Sequence, residues 1–247
     1  MASQLVCRPE RDLPVAVLRV SGVLDLLTGD ALAHAMARSL SAQPEALLVD
    51  VGEMEIGDPL ALQVLTDVVC RTAEWPAVPI LLCGAGPETA GALAASPDCA
   101  NLTVADDCAK AEAAIAEEPE KTRRIRVRLR PVPDACRQVR QLVNQACAAW
   151  QRKDVAATAA LIATELVANV VRHAHTTMEF TVGLRDGRMW LAVRDGSRRM
   201  PKPADPGVTD AGGRGLRLVR ELTDSWGVLP VSDGKVVWTQ LTTGSPA

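Results

Sequence analysis

The chain has 247 residues, with 27 Lys plus Arg against 30 Asp plus Glu, a formal net charge of -3, 48% hydrophobic residues and only 2% aromatic ones. Such a balance supplies no long-range field for nucleic acid or anionic lipid. With no Tyr, one Phe and five Trp, the core is built from Ala, Val and Leu, which suits α/β and α+β layers better than an aromatic-rich sandwich.

Val15 to Val20 reads as a strand, and Gly29 to Leu40 as a helix with Leu32, Met36 and Leu40 at four-residue spacing and Thr28 at its N-cap. Ala46 to Val51 is an apolar strand, Pro59 to Thr72 a helix opened by proline, Ile80 to Cys83 a strand and Pro87 to Ala95 a helix. A short strand at Leu102 to Val104 and a helix from Asp107 to Glu118 close a first domain, residues 1–118, of βα units around one sheet. Glu117-Glu118-Pro119-Glu120-Lys121 is charged, carries proline and lacks apolar periodicity, as an interdomain linker does.

The second domain, residues 122–247, opens with Ile125, Val127 and Leu129 alternating with arginines, the period of a half-buried strand. Helices are expected at Asp134 to Trp150 and Asp154 to His173. Asp186-Gly187 joins a hairpin of strands Glu179 to Leu184 and Arg188 to Arg194, which runs into Asp195-Gly196-Ser197. A Pro- and Gly-rich loop leads to a helix at Gly213-Arg214-Gly215, and two strands close the chain around Asp233-Gly234. The fold class is therefore α/β plus α+β, the second domain being a two-layer sandwich.

The seven cysteines are odd in number, scattered and never spaced Cys-x-x-Cys, so neither a disulfide framework nor a zinc site is expected, and reduced, mostly buried thiols are the default. No apolar run approaches the ~20 residues that span a bilayer, and the start of the chain lacks a basic segment followed by an apolar stretch. A cytoplasmic protein with no membrane association is expected.

Glu165, Asn169 and His173 follow one another at four-residue steps and form a polar line beside Ile162, Leu166 and Val170. A carboxylate beside an amide oxygen can pair a general base with an Mg²⁺ ligand, although a solvated helix face has the same spacing. Asp195 at a strand end, with Gly196 beyond it, can accept hydrogen bonds from an exocyclic amine; the bland alternative is an Asp-Gly turn. Gly212-Gly213-Arg214-Gly215 before a helix can offer backbone N–H groups to phosphate, or be a plain flexible loop. No P-loop motif is present. His173 and His175 point in different directions, which disfavours a metal pair, and the arginine strand reads as a solvated face with no direct nucleic-acid role.

The order Glu-Leu-Val-Ala-Asn-Val-Val-Arg-His-Ala at 165–174, Asp195-Gly196, Gly213-Arg214-Gly215-Leu216 and Trp238-Thr239 resembles the GHKL (Bergerat) ATPase superfamily, and within it the anti-sigma-factor serine kinases. The resemblance implies ATP and Mg as cofactors, Glu165 as catalytic base, Asn169 as Mg²⁺ ligand, Asp195 as adenine acceptor and Gly213 with Gly215 as phosphate-lid glycines. His173, Gly196 and Arg214 belong to the same motifs, and Thr239 is placed near the base. The usual Asp-x-Gly-x-Gly is altered, since Gly196 comes one place early.

Gly22-Val23-Leu24-Asp25 and Leu48-Val49-Asp50, followed by Asp58 at a helix start, resemble the STAS domain of anti-sigma-factor antagonists. That family is phosphorylated on the Ser or Thr after the helix-start aspartate, a position held here by Pro59, so the resemblance implies a module that is not a substrate for that switch. Together the resemblances imply an anti-sigma-factor type regulator that binds Mg-ATP and phosphorylates an antagonist on Ser or Thr. The other reading is an ATPase-fold module that sequesters a sigma factor or antagonist without phosphotransfer. The partners expected are a sigma factor or STAS-type antagonist, the tethered STAS module itself at an effective concentration of about millimolar, and a second copy of the chain in a homodimer.

Overall fold

The run Ala46-Leu47-Leu48-Val49 is inaccessible on both sides, and that decides how the first part of the chain is layered. Its last three residues open strand β3 (Leu47–Ile56), parallel to β2 (Ala16–Leu24) on one side and β4 (Ile80–Cys83) on the other. β5 (Thr103–Ala105) extends the parallel set, and β1 (Leu5–Arg11) adds an antiparallel edge, giving the order β1-β2-β3-β4-β5. Leu47 and Val49 pack with Leu32, Met36 and Leu40 of α1 (Gly29–Ser41), with Leu65 and Val68 of α2 (Gln63–Thr72) and with Leu93 of α3 (Pro87–Ala95). Ala46 and Leu48 face the other way, onto Cys83 and Ala111 of α4 (Cys108–Glu117). The computed structural model describes residues 4–117, 123–201 and 214–244. The chain forms two compact units, Met1–Glu120 and Lys121–Ala247.

In the second unit, β6 (Arg123–Leu129), β7 (Met178–Arg185), β8 (Arg188–Asp195), β9 (Ser225–Val231) and β10 (Gly234–Thr242) form an antiparallel sheet in the order β6-β7-β8-β10-β9. Alternate residues Met178, Phe180, Val182 and Leu184 of β7, and Met189, Leu191 and Val193 of β8, line one face. Val139 and Val143 of α5 (Asp134–Ala149), and Ala159, Ile162, Ala163, Leu166 and Val167 of α6 (Ala156–Asn169), cover it. The alanines of α6 let its backbone approach α5 closely. Asp186 (φ 48) and Gly187 (φ 73) make the hairpin turn with both central residues left-handed, as the Asp-Gly pair requires.

Four expectations are corrected. The strand β1 was not expected: Pro9 and the charged Arg8, Glu10 and Arg11 hide any alternation, and only pairing with β2 holds the segment extended. Cys83 and Cys108 form a disulfide across 25 residues of sequence, where reduced thiols were expected; β4 and α4 bring them within 5.0 Å, Cα to Cα, a proximity no local spacing reveals. Of the free cysteines only Cys99 and Cys147 are buried. Thr28 occupies the N-cap of α1 but does not cap it, because its hydroxyl donates backward to the Val23 carbonyl at 2.9 Å. The helix expected through His173 changes at Val170 into a π-turn, Val170–Ala174.

Candidate functional site

Glu165 and Asn169 lie one turn apart on α6, half-buried beside the apolar stripe, and helix α7 (Arg214–Leu222) starts against them. A Cβ on Gly215 would stand 2.4 Å from Glu165 Oε2 and 3.8 Å from Asn169 Oδ1. Glycine is therefore what admits the first turn of α7 to this distance. The first amides of a helix have no intrahelical partner and carry its positive dipole end, so this turn sets anion-seeking donors beside a carboxylate and an amide. Arg172 Nη2 lies 3.5 Å from Glu165 Oε2. With both side chains partly exposed, that pair contributes at most about 1 kcal/mol. Cys136 feels the same cluster: burial pushes its thiol up, Arg172 lowers it, Glu165 raises it and Arg140 lowers it.

Asp195 ends β8 on the helix-facing side of the sheet and is 4% exposed. Its Oδ1 accepts from Lys235 Nζ at 2.8 Å and from the Ser197 amide at 2.8 Å. Lys235, 6% exposed, also donates to the Ser197 carbonyl at 3.0 Å. The Gly196 amide donates to Thr176 Oγ1 at 3.0 Å, and Arg194 grips both Asp233 carboxylate oxygens at 3.0 Å. Arg198 donates to the Ser232 carbonyl. The Asp195-Gly196-Ser197 loop is thus stapled to the β9–β10 turn.

The other sequence-derived residues are placed as follows. His173 is exposed, carried off the Glu165–Asn169 line by the π-turn, and makes no hydrogen bond or ion pair to either residue among those described. His175 takes the left-handed C-cap at φ 54, its amide donating to the Val170 carbonyl at 2.9 Å. Thr239 is fully buried and in register with Leu191, to whose carbonyl its hydroxyl donates at 3.5 Å. It stands four residues along β10 from Lys235, about 13 Å at strand rise, so it is not brought to Asp195. Lys235 is the residue opposite Asp195, and sequence reasoning missed it. No local signal reveals it: the two Asp-Gly turns set the β7–β8 and β9–β10 registers, whereas the β8–β10 register that pairs Lys235 with Asp195 joins strands far apart in sequence. Gly213 lies outside the described residues, and Arg214 opens α7.

In the first unit, Asp25 and Asp58 sit at adjacent strand ends. The Gly57 and Asp58 amides donate to the Leu24 carbonyl at 2.9 and 3.3 Å. Asp25 Oδ1 accepts from the Leu27 and Thr28 amides, and Asp58 Oδ1 accepts from the Leu60 amide at 2.9 Å, capping a short 3-10 turn that begins at Pro59. Pro59 is exposed, and around it Leu26, Leu27 and Leu60 are 64%, 88% and 62% exposed.

No described group of three or more His, Cys, Asp or Glu could hold a metal ion. Asn169 Oδ1 and the Glu165 carboxylate are hard oxygen donors of the kind that suits Mg²⁺ as a partner to substrate phosphates, which needs only one or two protein ligands. No helix among the described residues is long and apolar enough to cross a membrane.

No curated protein matches the chain. Among solved structures, the chain is similar to an anti-sigma factor antagonist from Mycobacterium paratuberculosis (22% identity, 46% of this chain and 95% of that one, TM-score 0.39). It is also similar to the RsbU and RsbW domains of a Mycobacterium tuberculosis protein (18% identity, 51% of this chain and 34% of that one, TM-score 0.40). A third is the anti-sigma factor antagonist SpoIIAA in its unphosphorylated form (11% identity, 47% of this chain and 98% of that one, TM-score 0.38). Residues 129–241 match the family described as histidine kinase-like ATPase domain, and this span contains Glu165, Asn169, Asp195, Gly215 and Lys235. The second unit of the chain therefore carries a histidine kinase-like ATPase domain.

Proposed function

We propose that the second unit binds ATP with Mg²⁺ and transfers the terminal phosphoryl group to a Ser or Thr of an antagonist protein, within a regulator of the anti-sigma-factor type. The observation that carries this reading is the contact of Gly215 with Glu165 and Asn169, which puts a helix N-terminus, a carboxylate and an amide oxygen in one place. Asn169 Oδ1 would hold the cation, whose chemistry is to neutralise charge on the phosphate oxygens. Glu165 Oε2 accepts the proton of the attacking hydroxyl or orients it, and Arg172 limits how far that carboxylate swings. Backbone amides at the start of α7 take the phosphates, and Asp195 takes the exocyclic amine of the base through Oδ2, since Oδ1 is occupied by Lys235 and Ser197. The first unit acts as a STAS-type docking module that lacks the phosphorylation switch. Exposed Leu26, Leu27 and Leu60 beside Asp25, Asp58 and Pro59 support the docking role, and Pro59, which has no hydroxyl, supports the missing switch.

One observation favours a second reading, sequestration of a sigma factor or antagonist without phosphotransfer: the expected base acceptor, Asp195, is already engaged by a buried lysine. Calorimetric titration of the full chain with ATP, with and without Mg²⁺, separates the two. Mg²⁺-dependent binding that Asn169→Ala abolishes supports the kinase reading. No heat of binding at about millimolar ATP rejects it and leaves sequestration.

A further inference from the structure

The Asp195–Lys235 pair changes what the base site can read, and we infer that Lys235 is a specificity residue that admits 6-oxopurine nucleotides, GTP and ITP, alongside or ahead of ATP. The inference rests on the nucleotide-binding reading above and goes beyond it. A carboxylate alone offers only lone pairs: it attracts the 6-amino group of adenine and repels the 6-carbonyl of guanine. Here an ammonium group stands 2.8 Å from Oδ1 in a site where Asp195 is 4% and Lys235 6% exposed. Of the three Nζ–H donors, one goes to Asp195 and one to the Ser197 carbonyl. The third meets no acceptor, and Asp195 Oδ2 no donor, among the described residues.

A base arriving here therefore meets a donor and an acceptor side by side on a pair of zero net charge. Adenine can satisfy it with two hydrogen bonds, N6–H to Oδ2 and Nζ–H to N1. Guanine can satisfy it with three: N1–H and N2–H to Oδ2, and Nζ–H to O6, the last a charge-assisted bond to a carbonyl. Hypoxanthine keeps the O6 and N1–H contacts and loses only the one from N2. Both bases pair the ammonium, but a carbonyl oxygen at position 6 is a stronger acceptor for a charged donor than the ring nitrogen N1, and guanine makes one bond more, so the ammonium favours a carbonyl at position 6. Ser197 fixes the geometry by holding both members of the pair, its amide on Asp195 and its carbonyl on Lys235.

The test is a fluorescence competition on the full-length protein with Mg²⁺ and ATP, GTP and ITP as competitors, repeated on Lys235→Met. The expected result is GTP binding at least as tightly as ATP, ITP between them or equal to GTP, and a GTP-to-ATP ratio that K235M shifts toward ATP by about tenfold or more. A wild-type preference for ATP of about tenfold or more overturns the inference while leaving the nucleotide site intact, and so does a ratio that K235M leaves unmoved. Failure of all three nucleotides to bind removes the nucleotide-site reading itself. Should K235M not fold, the wild-type series decides alone, because the order of the three nucleotides reads the same hydrogen-bond pattern without altering the protein.

Discussion

At the scale of single residues, the second unit separates side chains that hold the fold from side chains that only stand in the site. Asp195 and Lys235 do the first, whatever else they do: removing one partner of a buried pair leaves a charge without compensation. Asp195→Asn is expected to lower stability by about 3–5 kcal/mol, measured by urea unfolding, with part of the loss recovered in the Asp195→Asn, Lys235→Met double variant. Glu165 is partly exposed and its ion-pair partner is a flexible arginine, so Glu165→Ala should leave stability nearly unchanged while phosphotransfer falls by about a hundredfold or more and nucleotide binding persists. Gly215→Ala is diagnostic. The added Cβ meets the flexible end of Glu165 rather than backbone, so the fold tolerates it, with a gain of up to about 1 kcal/mol from helix propensity. The displaced carboxylate should nonetheless lower turnover by about tenfold or more, read in a single-turnover phosphotransfer assay.

At the scale of elements, local pattern and tertiary constraint part company in three places. The polar line on α6 is legible as a four-residue spacing, but the π-turn after Asn169 is not, because nothing in Val170-Val171-Arg172-His173-Ala174 favours the wider turn over a regular helix. Its effect is to leave Glu165 and Asn169 together and to send His173 to solvent. β1 exists only as an edge partner of β2. The Cys83–Cys108 bond ties β4 to α4, and constraining a separation of 25 residues is worth roughly 3 kcal/mol in the unfolded-chain picture. Cys83→Ser should lower stability by about that amount in the absence of reductant and by much less in its presence. Thiol titration of the denatured protein should find the five free cysteines before reduction and all seven afterwards.

At the scale of the whole molecule, each hydrophobic cluster belongs to one unit: Leu18, Met36, Val49 and Leu82 in the first, Val143, Ile162, Phe180 and Leu191 in the second. Two cores of this kind should unfold in two calorimetric transitions, and Cys83→Ser should move only one of them. Burial pushes the thiols of Cys7, Cys136 and Cys147 up from 9.0. A group whose folded value is raised contributes stability that is fully present below the unfolded value and is lost as pH rises through the folded one. Stability should therefore be level up to about pH 8 and decline above pH 9.0, and alkylation of Cys7, Cys136 and Cys147 in the native protein should be slow until that range.

By itself the sequence determined the alternation of strands and helices, the two sheets, the Asp186-Gly187 hairpin and the Glu165, Asn169 and Asp195 motifs, because periodicity and turn chemistry act over a few residues and survive in any context. Tertiary structure alone decided which side chains meet: Gly215 against Glu165 across 50 positions of chain, Cys83 against Cys108, and Lys235 rather than Thr239 opposite Asp195. Those pairings depend on strand register and on helices packing face to face, and register is set by the burial of a whole sheet face rather than by any residue's neighbours in sequence.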